Sequence, residues 1–472
     1  MRELTISLDG ELKTPLYEQI YQYLKKEIQK RQILPGECLP STRALSRHLQ
    51  VSRSTVDLAY MQLMSEGYIE SVPYRGYFVC ELEGICQFQE EEILQDDRLP
   101  GKSKAYDYDF AVNGIDAHGF PYNQWRKISK EILQQDDISL FQLGYPQGEW
   151  ELRQVLASYL HHARGVRCTP GQIIVGAGND YLLMLLRIIL GQNHVIAMEN
   201  PTYKSAYLGF SQLEYQVCSI PMDESGMRVD ELKKSGADIA YVMPSHQFPM
   251  GNVMPVKRRM QLLAWAREGA ERYIIEDDYD SEFRYRGKPI PALQGYDGHQ
   301  NVIYLGTFSK SIAPAIRISY MVLPERLAAR YEQHGINFSA TVSKVDQKII
   351  ELFIRDGHYE RHLNRMRALY KTKHDILLAK LKQMADICRV YGENAGVHVV
   401  LTFANGMTEQ EAVKRAAEHG VCIYGLSDYD TAGKTSAEES KTVILGYATL
   451  SEEEIREGMD RLHLAWTENR KG

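Results

Sequence analysis

The sequence predicts an α/β protein in two unequal parts: a small N-terminal domain of helices and a hairpin, and a larger domain built on a mostly parallel sheet. Two patterns predict this class. Helical stripes of apolar residues followed by short strand-like runs fill the first 80 residues. Beyond them, short apolar runs alternate with amphipathic helical stretches, as in sheets covered by helices. The length of 472 residues leaves room for more than one core.

Composition and charge divide the chain. Apolar residues make up 44% and charged residues 25%, which is ordinary for globular proteins and excludes wholesale disorder. The net charge of −7 does not by itself indicate a nucleic-acid binder. However, residues 1–80 carry +1, residues 81–105 carry −4 and residues 106–472 carry −4. We therefore predict a first domain at 1–80, a solvated linker at 81–105 and a second domain at 106–472.

The cysteines and the apolar segments argue against secretion and membrane insertion. The seven cysteines show no CxxC spacing, so neither a disulfide framework nor a metal site is expected. The first ten residues carry charges and lack the apolar stretch of a signal peptide. The longest apolar stretch, 181–190, is too short to span a bilayer. The sequence thus predicts a soluble, cytoplasmic protein.

The first domain is predicted as three helices and a hairpin. The first helix has an apolar stripe at four-residue intervals, formed by Leu16, Ile20, Leu24 and Ile28. Ser41 and Ser52 can cap the second and third helices, and Gly67 can end the third. Two strand-like runs, 68–70 and 77–79, complete the domain. This order of elements is that of a winged helix-turn-helix.

Polar and basic residues lie where such a domain meets DNA, which argues against a purely structural role. Their side chains can bond phosphates and base edges. The run from Leu39 to Val79 resembles the GntR type of winged helix. The resemblance implies promoter-DNA contacts by Arg43, Arg53, Ser54, Thr55 and Gly76. Arg75, at the tip of the hairpin, can also reach a groove, and two-fold dimers commonly read paired half-sites.

In the second domain, strands are predicted at 173–175, 195–198, 239–243, 273–275 and 302–305. Ligands of such folds bind at the carboxyl ends of the strands. Gly178 and Asn179 lie between the first of these strands and a helix that begins near Asp180. Backbone N–H groups at a helix N-terminus can hold an anion such as phosphate. Small residues that serve only tight packing are the alternative.

An acidic segment follows the fourth of these strands. A buried carboxylate in this segment, 276–280, could hold a protonated ring nitrogen, and its tyrosine, Tyr279, could donate a hydrogen bond to a phenolate oxygen. Taken alone, the segment is better explained as a solvated acidic loop or a magnesium site.

The end of the fifth strand carries a lysine among hydroxyl groups. A desolvated lysine has a lowered pKa and can form a Schiff base with an aldehyde, which suits Lys310. Thr307, Ser309 and Arg317 can complete a cup for a phosphate. A surface lysine is the alternative, but it fits poorly beside a buried strand.

These features together describe one ligand. In the loop 244–251, His246 or Gln247 can meet a phenolic oxygen, and Tyr203 can stack on a ring. An aldehyde, a phosphate, a phenolic oxygen and a ring with a basic nitrogen are the parts of pyridoxal 5′-phosphate. The combination is far more specific than any part, and the sequence predicts that this cofactor is bound.

A GntR-type winged helix joined to a fold-type-I aminotransferase-like domain resembles the MocR group of bacterial transcriptional regulators, over nearly the whole chain. Segments 244–266, 272–283 and 301–324 are close to those of the GABA-responsive member of that group. The resemblance implies a large, mixed and mostly parallel sheet with a smaller C-terminal α+β part. It also implies a homodimer, with domain swapping left open.

The resemblance assigns roles to the predicted cofactor residues. Lys310 becomes the aldimine lysine, and Asp277 becomes the partner of the pyridine nitrogen. Tyr279 bonds the phenolic oxygen and Tyr203 stacks on the ring. The phosphate is held by Arg317 together with Thr307.

Two departures from the family concern the effector. The strand in which aminotransferases carry a carboxylate-binding arginine corresponds to 443–448, which has none. The GABA-responsive regulator uses two arginines, at positions that correspond here to Ser205 and Asp428. Without these cations, we predict that GABA is not the effector, and Asp428 could favour a cationic group.

Two functions remain open at this point. The first is a regulator that senses a small amine or amino-acid-like effector through the Lys310 aldimine, without being an enzyme. The second is an active aminotransferase with an appended DNA-binding domain, because the residues needed for transamination are present. A third reading makes the cofactor itself the signal. The missing carboxylate arginine favours the regulator.

Overall fold

The structure is a computed structural model that describes Ile6, Leu8, Asp9 and residues 14–81, 106–285, 290–334 and 338–467. The described residues form two compact units, one that ends at Glu81 and one that begins at Tyr106. The predicted linker cannot be compared with the structure, because its residues 82–105 lie outside the described residues. Within the described part of the chain, no helix is both long enough and apolar enough to cross a membrane.

The first unit has three helices and a three-stranded sheet. Its elements are α1 (Leu16–Gln29), β1 (Cys38–Leu39), α2 (Thr42–Leu49), α3 (Arg53–Ser65), β2 (Ile69–Val72) and β3 (Gly76–Val79). Ser41 and Ser52 cap α2 and α3 by accepting from the backbone N–H of Ala44 and Thr55, each at 3.2 Å. The predicted winged helix-turn-helix is confirmed, with one strand more than expected, because β1 pairs with β3.

The second unit is built on fourteen strands within the described residues. They are β4 (Tyr108–Asp109), β5 (Ile173–Gly176), β6 (Val195–Asn200), β7 (Gln216–Asp223), β8 (Gly226–Met227), β9 (Ile239–Val242), β10 (Tyr273–Asp278), β11 (Val302–Thr307), β12 (Ser319–Val322), β13 (Cys388–Tyr391), β14 (His398–Phe403), β15 (Val421–Cys422), β16 (Tyr424–Gly425) and β17 (Thr442–Gly446).

Helices cover these strands. They are α4 (Tyr122–Leu133), α5 (Trp150–Arg164), α6 (Asn179–Leu190), α7 (Lys204–Gln212), α8 (Val229–Lys234), α9 (Val256–Arg267), α10 (Glu325–His334), α11 (Lys344–Arg355), α12 (His358–Lys382), α13 (Glu409–Glu418) and α14 (Glu452–Thr467).

The largest sheet has eight strands in the order β5-β12-β11-β10-β9-β6-β7-β8. The central strands β11, β10, β9, β6 and β7 are parallel, whereas β12 runs antiparallel between β11 and β5. Neighbouring residues of β10 face opposite sides of the sheet. Ile275 packs in the core that contains α6, and Ile274 packs in the core that contains α9. Both faces are therefore buried, which explains the continuous apolar runs in the sequence. The predicted mostly parallel sheet is confirmed.

A second sheet of four strands, β13-β14-β17-β16, forms the smaller part of this unit. Its apolar face packs against α12, α13 and α14 in a separate core. The larger sheet matters most for function, because the ends of its parallel strands bring distant segments together.

Candidate functional site

A cavity of about 250 Å³ lies at the carboxyl ends of the strands of the large sheet. Eight of the predicted cofactor residues line it: Asn179, Tyr203, Asp277, Tyr279, Thr307, Ser309, Lys310 and Arg317. The structure adds Asn113, Asp180, Met243, Phe248 and Pro314 to its wall. The strand ends thus converge as the predicted topology requires.

Asp277 offers a free carboxylate oxygen to this cavity. It lies near the end of β10 and is only 3% exposed. Its Oδ2 accepts a hydrogen bond from the hydroxyl of Tyr241. Its Oδ1 has no hydrogen-bond partner among the described residues. Burial raises the pKa of Asp277 to about 7. An unpartnered buried oxygen at the wall of a cavity fits a ligand that brings its own N–H donor.

Lys310 follows β11, and burial lowers the pKa of its amine to about 8, against the opposing effect of the Asp280 carboxylate. Its Nζ donates to the carbonyl oxygen of Val112 at 3.2 Å. An amine with such a pKa is partly unprotonated near neutral pH and can act as a nucleophile towards a carbonyl group.

The opposite end of the cavity suits an anion. Gly178 has φ of +91°, and a Cβ atom there would meet Nη2 of Arg317 at 2.2 Å, so this position requires glycine. The helix α6 begins directly after it, where backbone N–H groups lack partners within the helix. Arg317 forms an ion pair with Asp180 at 3.1 Å. Thr307 accepts from the backbone N–H of Ser309 at 3.1 Å.

Aromatic rings form the remaining wall. Tyr203 is half-buried after β6, with its ring centroid 6.0 Å from that of Phe248. Phe248 also lies edge-to-face with Tyr279 at 6.1 Å and with Tyr429 at 5.2 Å. A flat ring inserted here would have aromatic neighbours on its faces and edges. The sequence places Phe248 in the polar loop after β9 but gives no sign that its ring reaches the cavity.

Four residues of the predicted site are not among the lining residues: Gly178, which directly precedes Asn179, and His246, Ser205 and Asp428. The sequence predicts that His246 meets a phenolic oxygen, but the structure places it behind Tyr279, with its Nδ1 2.9 Å from the Tyr279 hydroxyl. The two residues predicted for the effector, Ser205 and Asp428, are exposed and do not belong to the cavity lining of the described residues.

In the first unit, the predicted DNA-contacting residues lie at the surface. Arg43, Arg53, Ser54 and Arg75 are exposed, while Thr55 and Gly76 are half-buried. Hydroxyl groups cluster at the start of α3, since the Ser52 hydroxyl contacts those of Ser54 and Thr55 at 2.8 and 2.7 Å. The structure also exposes Tyr74 fully at the hairpin turn.

Comparison with known proteins agrees with this two-part architecture. Residues 16–79 match the family model of bacterial regulatory proteins of the gntR family. Residues 109–462 match that of aminotransferase class I and II. The chain is 39% identical to the HTH-type transcriptional regulator YdeL of Bacillus subtilis, over 98% of this chain and 99% of that protein. It is 30% identical to MocR of Rhizobium meliloti, a probable rhizopine catabolism regulatory protein, over 97% and 95% of the two chains.

The chain belongs to the MocR-type HTH transcriptional regulators. The second unit of this MocR-type chain also resembles solved aminotransferases. One is the kynurenine aminotransferase of Pyrococcus horikoshii, with a TM-score of 0.67, 26% identity and coverage of 79% of this chain and 93% of that one. That structure contains PMP together with kynurenine as substrate. The likeness supports a fold-type-I architecture for the larger unit of the MocR-type protein.

Proposed function

We propose that this MocR-type protein binds pyridoxal 5′-phosphate in the cavity described above. The observation that carries the proposal is the meeting of Lys310, the unpartnered Oδ1 of Asp277 and Asn179 at the start of α6 in one cavity. Lys310 would take the aldehyde, Asp277 the ring nitrogen, and Arg317 with Thr307 and the start of α6 the phosphate. The bound cofactor would supply an electrophilic carbon that combines reversibly with primary amines.

The protein would regulate transcription by coupling this chemistry to DNA binding. The exposed start of α3 and the hairpin of the first unit would contact promoter DNA, as a homodimer on paired half-sites. A small amine or amino-acid-like effector would act by binding one conformation of the protein better than another. The effector would then regulate transcription without being chemically converted.

The purified full-length protein tests both parts. The wild type is expected to show the visible absorption band of a lysine-bound cofactor, and K310A is expected to lack it. Mobility shifts with the DNA upstream of the gene and of its neighbours test DNA binding, with and without an amine panel. A wild type that binds neither the cofactor nor any of these DNA fragments contradicts the proposal.

Aminotransferase activity is the second candidate, and the presence of both Lys310 and Asp277 in one cavity favours it. Sustained conversion of an amino donor in the presence of a keto-acid acceptor would identify the enzyme. An effector-dependent change in promoter transcription without such conversion would identify the regulator.

A further inference from the structure

The structure places a buried pair of residues directly behind Tyr279. The side chains of His246 and Asp280 are each about 1% exposed, and Nδ1 of His246 lies 2.8 Å from Oδ2 of Asp280. The same Nδ1 lies 2.9 Å from the hydroxyl oxygen of Tyr279. Tyr279 lines the cavity, whereas the pair does not belong to its wall among the described residues.

The contact with Asp280 decides where the imidazole proton lies. An ionised carboxylate only accepts hydrogen bonds, so Nδ1 must carry the proton that it shares with Asp280. A protonated Nδ1 cannot accept a hydrogen bond from Tyr279. The hydroxyl oxygen of Tyr279 is then the acceptor of a shared N–H, and its own proton can be donated to the nearby Asp280 carboxylate or to a ligand in the cavity. Burial raises the pKa of Tyr279 well above its usual value, which keeps that proton on the hydroxyl group.

The surrounding chain holds the imidazole ring in this position. Gly396 has φ of +76°, and a Cβ atom there would meet Cε1 of His246 at 2.0 Å, so the ring needs glycine at this point. The ring of His398 lies 5.2 Å away, and its Nε2 bonds the carbonyl of Pro249 at 2.9 Å. Burial lowers the pKa of His398 to about 3, so this neighbour is uncharged.

Among the described residues, only one of the two ring nitrogens of His246 forms hydrogen bonds. Nε2 of His246 has no hydrogen-bond partner among the described residues, so Nδ1 alone holds the ring. The charged groups that act on the pair are Asp277 and Glu282 from the segment around the end of β10 and Lys310 from the segment after β11.

We propose that Asp280 and His246 are positioning residues that hold the Tyr279 hydroxyl as a hydrogen-bond donor towards the phenolic oxygen of the bound cofactor. This inference rests on the proposed cofactor site. It gives His246 a different role from direct contact with the ligand. It also explains why an ionisable pair is buried next to the cavity without lining it.

The test is a pH titration of the visible band of the bound cofactor. A donor to the phenolic oxygen stabilises the form in which that oxygen is negative, so losing the donor raises the titration midpoint. H246L removes the N–H that Asp280 and Tyr279 share, and we expect an upward shift of about one pH unit, the size of one charge-assisted hydrogen bond. H246N is the matched control, because asparagine has the size of leucine and keeps an N–H donor. Its midpoint should stay near that of the wild type.

A double-mutant cycle with Y279F shows whether the pair acts through Tyr279. H246L is expected to cause no further shift in the Y279F background. An unchanged midpoint in H246L, or an equal shift with and without Tyr279, would overturn the inference while leaving cofactor binding intact. A wild type with no visible band would instead contradict the proposed function.

A measurement on the unmodified protein covers the case in which H246L does not fold. The side-chain ¹⁵N signals of His246, assigned with H246N, should show a proton on Nδ1. A proton on Nε2 alone would overturn the inference.

Discussion

At the residue scale, the environment of Lys310 predicts how the apo-protein reacts with its cofactor. Burial lowers the pKa of this amine from 10.5 to about 8, and only the neutral amine attacks an aldehyde. The rate of cofactor capture should therefore rise with pH and level off above about 8. Stopped-flow absorbance measures this rate, and a rate that still increases steeply near pH 10 would contradict the assignment.

The same shift predicts a change in stability at alkaline pH that has the same sign as acid denaturation has at low pH. Between pH 8 and 10.5 the unfolded chain binds a proton that the folded apo-protein does not. The free energy of unfolding should thus increase with pH across this window. Denaturant titrations at several pH values measure how steeply the free energy of unfolding rises with pH. We expect a smaller rise in K310M than in the wild type.

The ion pair between Arg317 and Asp180 predicts opposite effects for its two members. R317A should weaken cofactor binding about 10- to 100-fold, because a hydrogen bond between charged groups contributes about 1.5–3 kcal/mol. D180N should not weaken it, since Asp180 competes with a phosphate for the guanidinium group. Equilibrium titration of the apo-protein measures both affinities. R456A, in the exposed pair with Glu452, is the control.

Single residues also show where sequence reasoning ends. Lys310 could be predicted because it follows an apolar strand and has a chemistry that such a strand end rarely carries, whereas the choice of Asp277 within its acidic segment depended on the resemblance of the whole segment to a known family. The orientation of His246 could not, because it depends on Gly396, about 150 residues away in the chain. Local patterns identify side chains with unusual chemistry, but packing decides whether they face the cavity.

At the scale of elements, the start of α3 predicts how DNA binding depends on salt. Arg53 is exposed and pairs only loosely with Asp57, at 3.6 Å, so its guanidinium group is available to a phosphate or a base. R53A should weaken promoter binding. It should also reduce the slope of log affinity against log salt concentration by about one, the amount expected for one lost phosphate contact. Fluorescence anisotropy at several salt concentrations measures both. K382A, in the second unit, should leave them unchanged.

For the strands too, some features could be predicted from the local sequence, whereas others depend on contacts between distant segments. All five strands predicted in the large sheet are present, because both of its faces are buried and the runs are continuously apolar. The antiparallel β12 was not among the strand predictions, although it lies between β5 and β11. The antiparallel direction of β12 depends on how the chain turns back after Lys310. The spacing of apolar residues in the sequence does not show this turn.

At the scale of the whole molecule, the charges of the cavity predict which amines act on it. Among the described lining residues the cations are Lys310 and Arg317, and we have proposed that both hold the cofactor. A carboxylate on the effector would thus lack a cationic partner. GABA is expected to leave the visible band unchanged, whereas amines without a carboxylate should change it. A titration of GABA, diamines and amino acids against the full-length protein decides this, and a strong response to GABA would contradict the prediction.

The bond from Lys310 to the carbonyl oxygen of Val112 links the reactive amine to the first residues of the second unit. Val112 follows the predicted end of the linker by only a few residues. Both the charged and the neutral amine can donate to this carbonyl group, but an Nζ bound covalently to the proposed cofactor would have at most one N–H group left. If Lys310 has the proposed role, the segment around Val112 would lose a hydrogen bond when the lysine takes up the cofactor and regain it when the lysine is released.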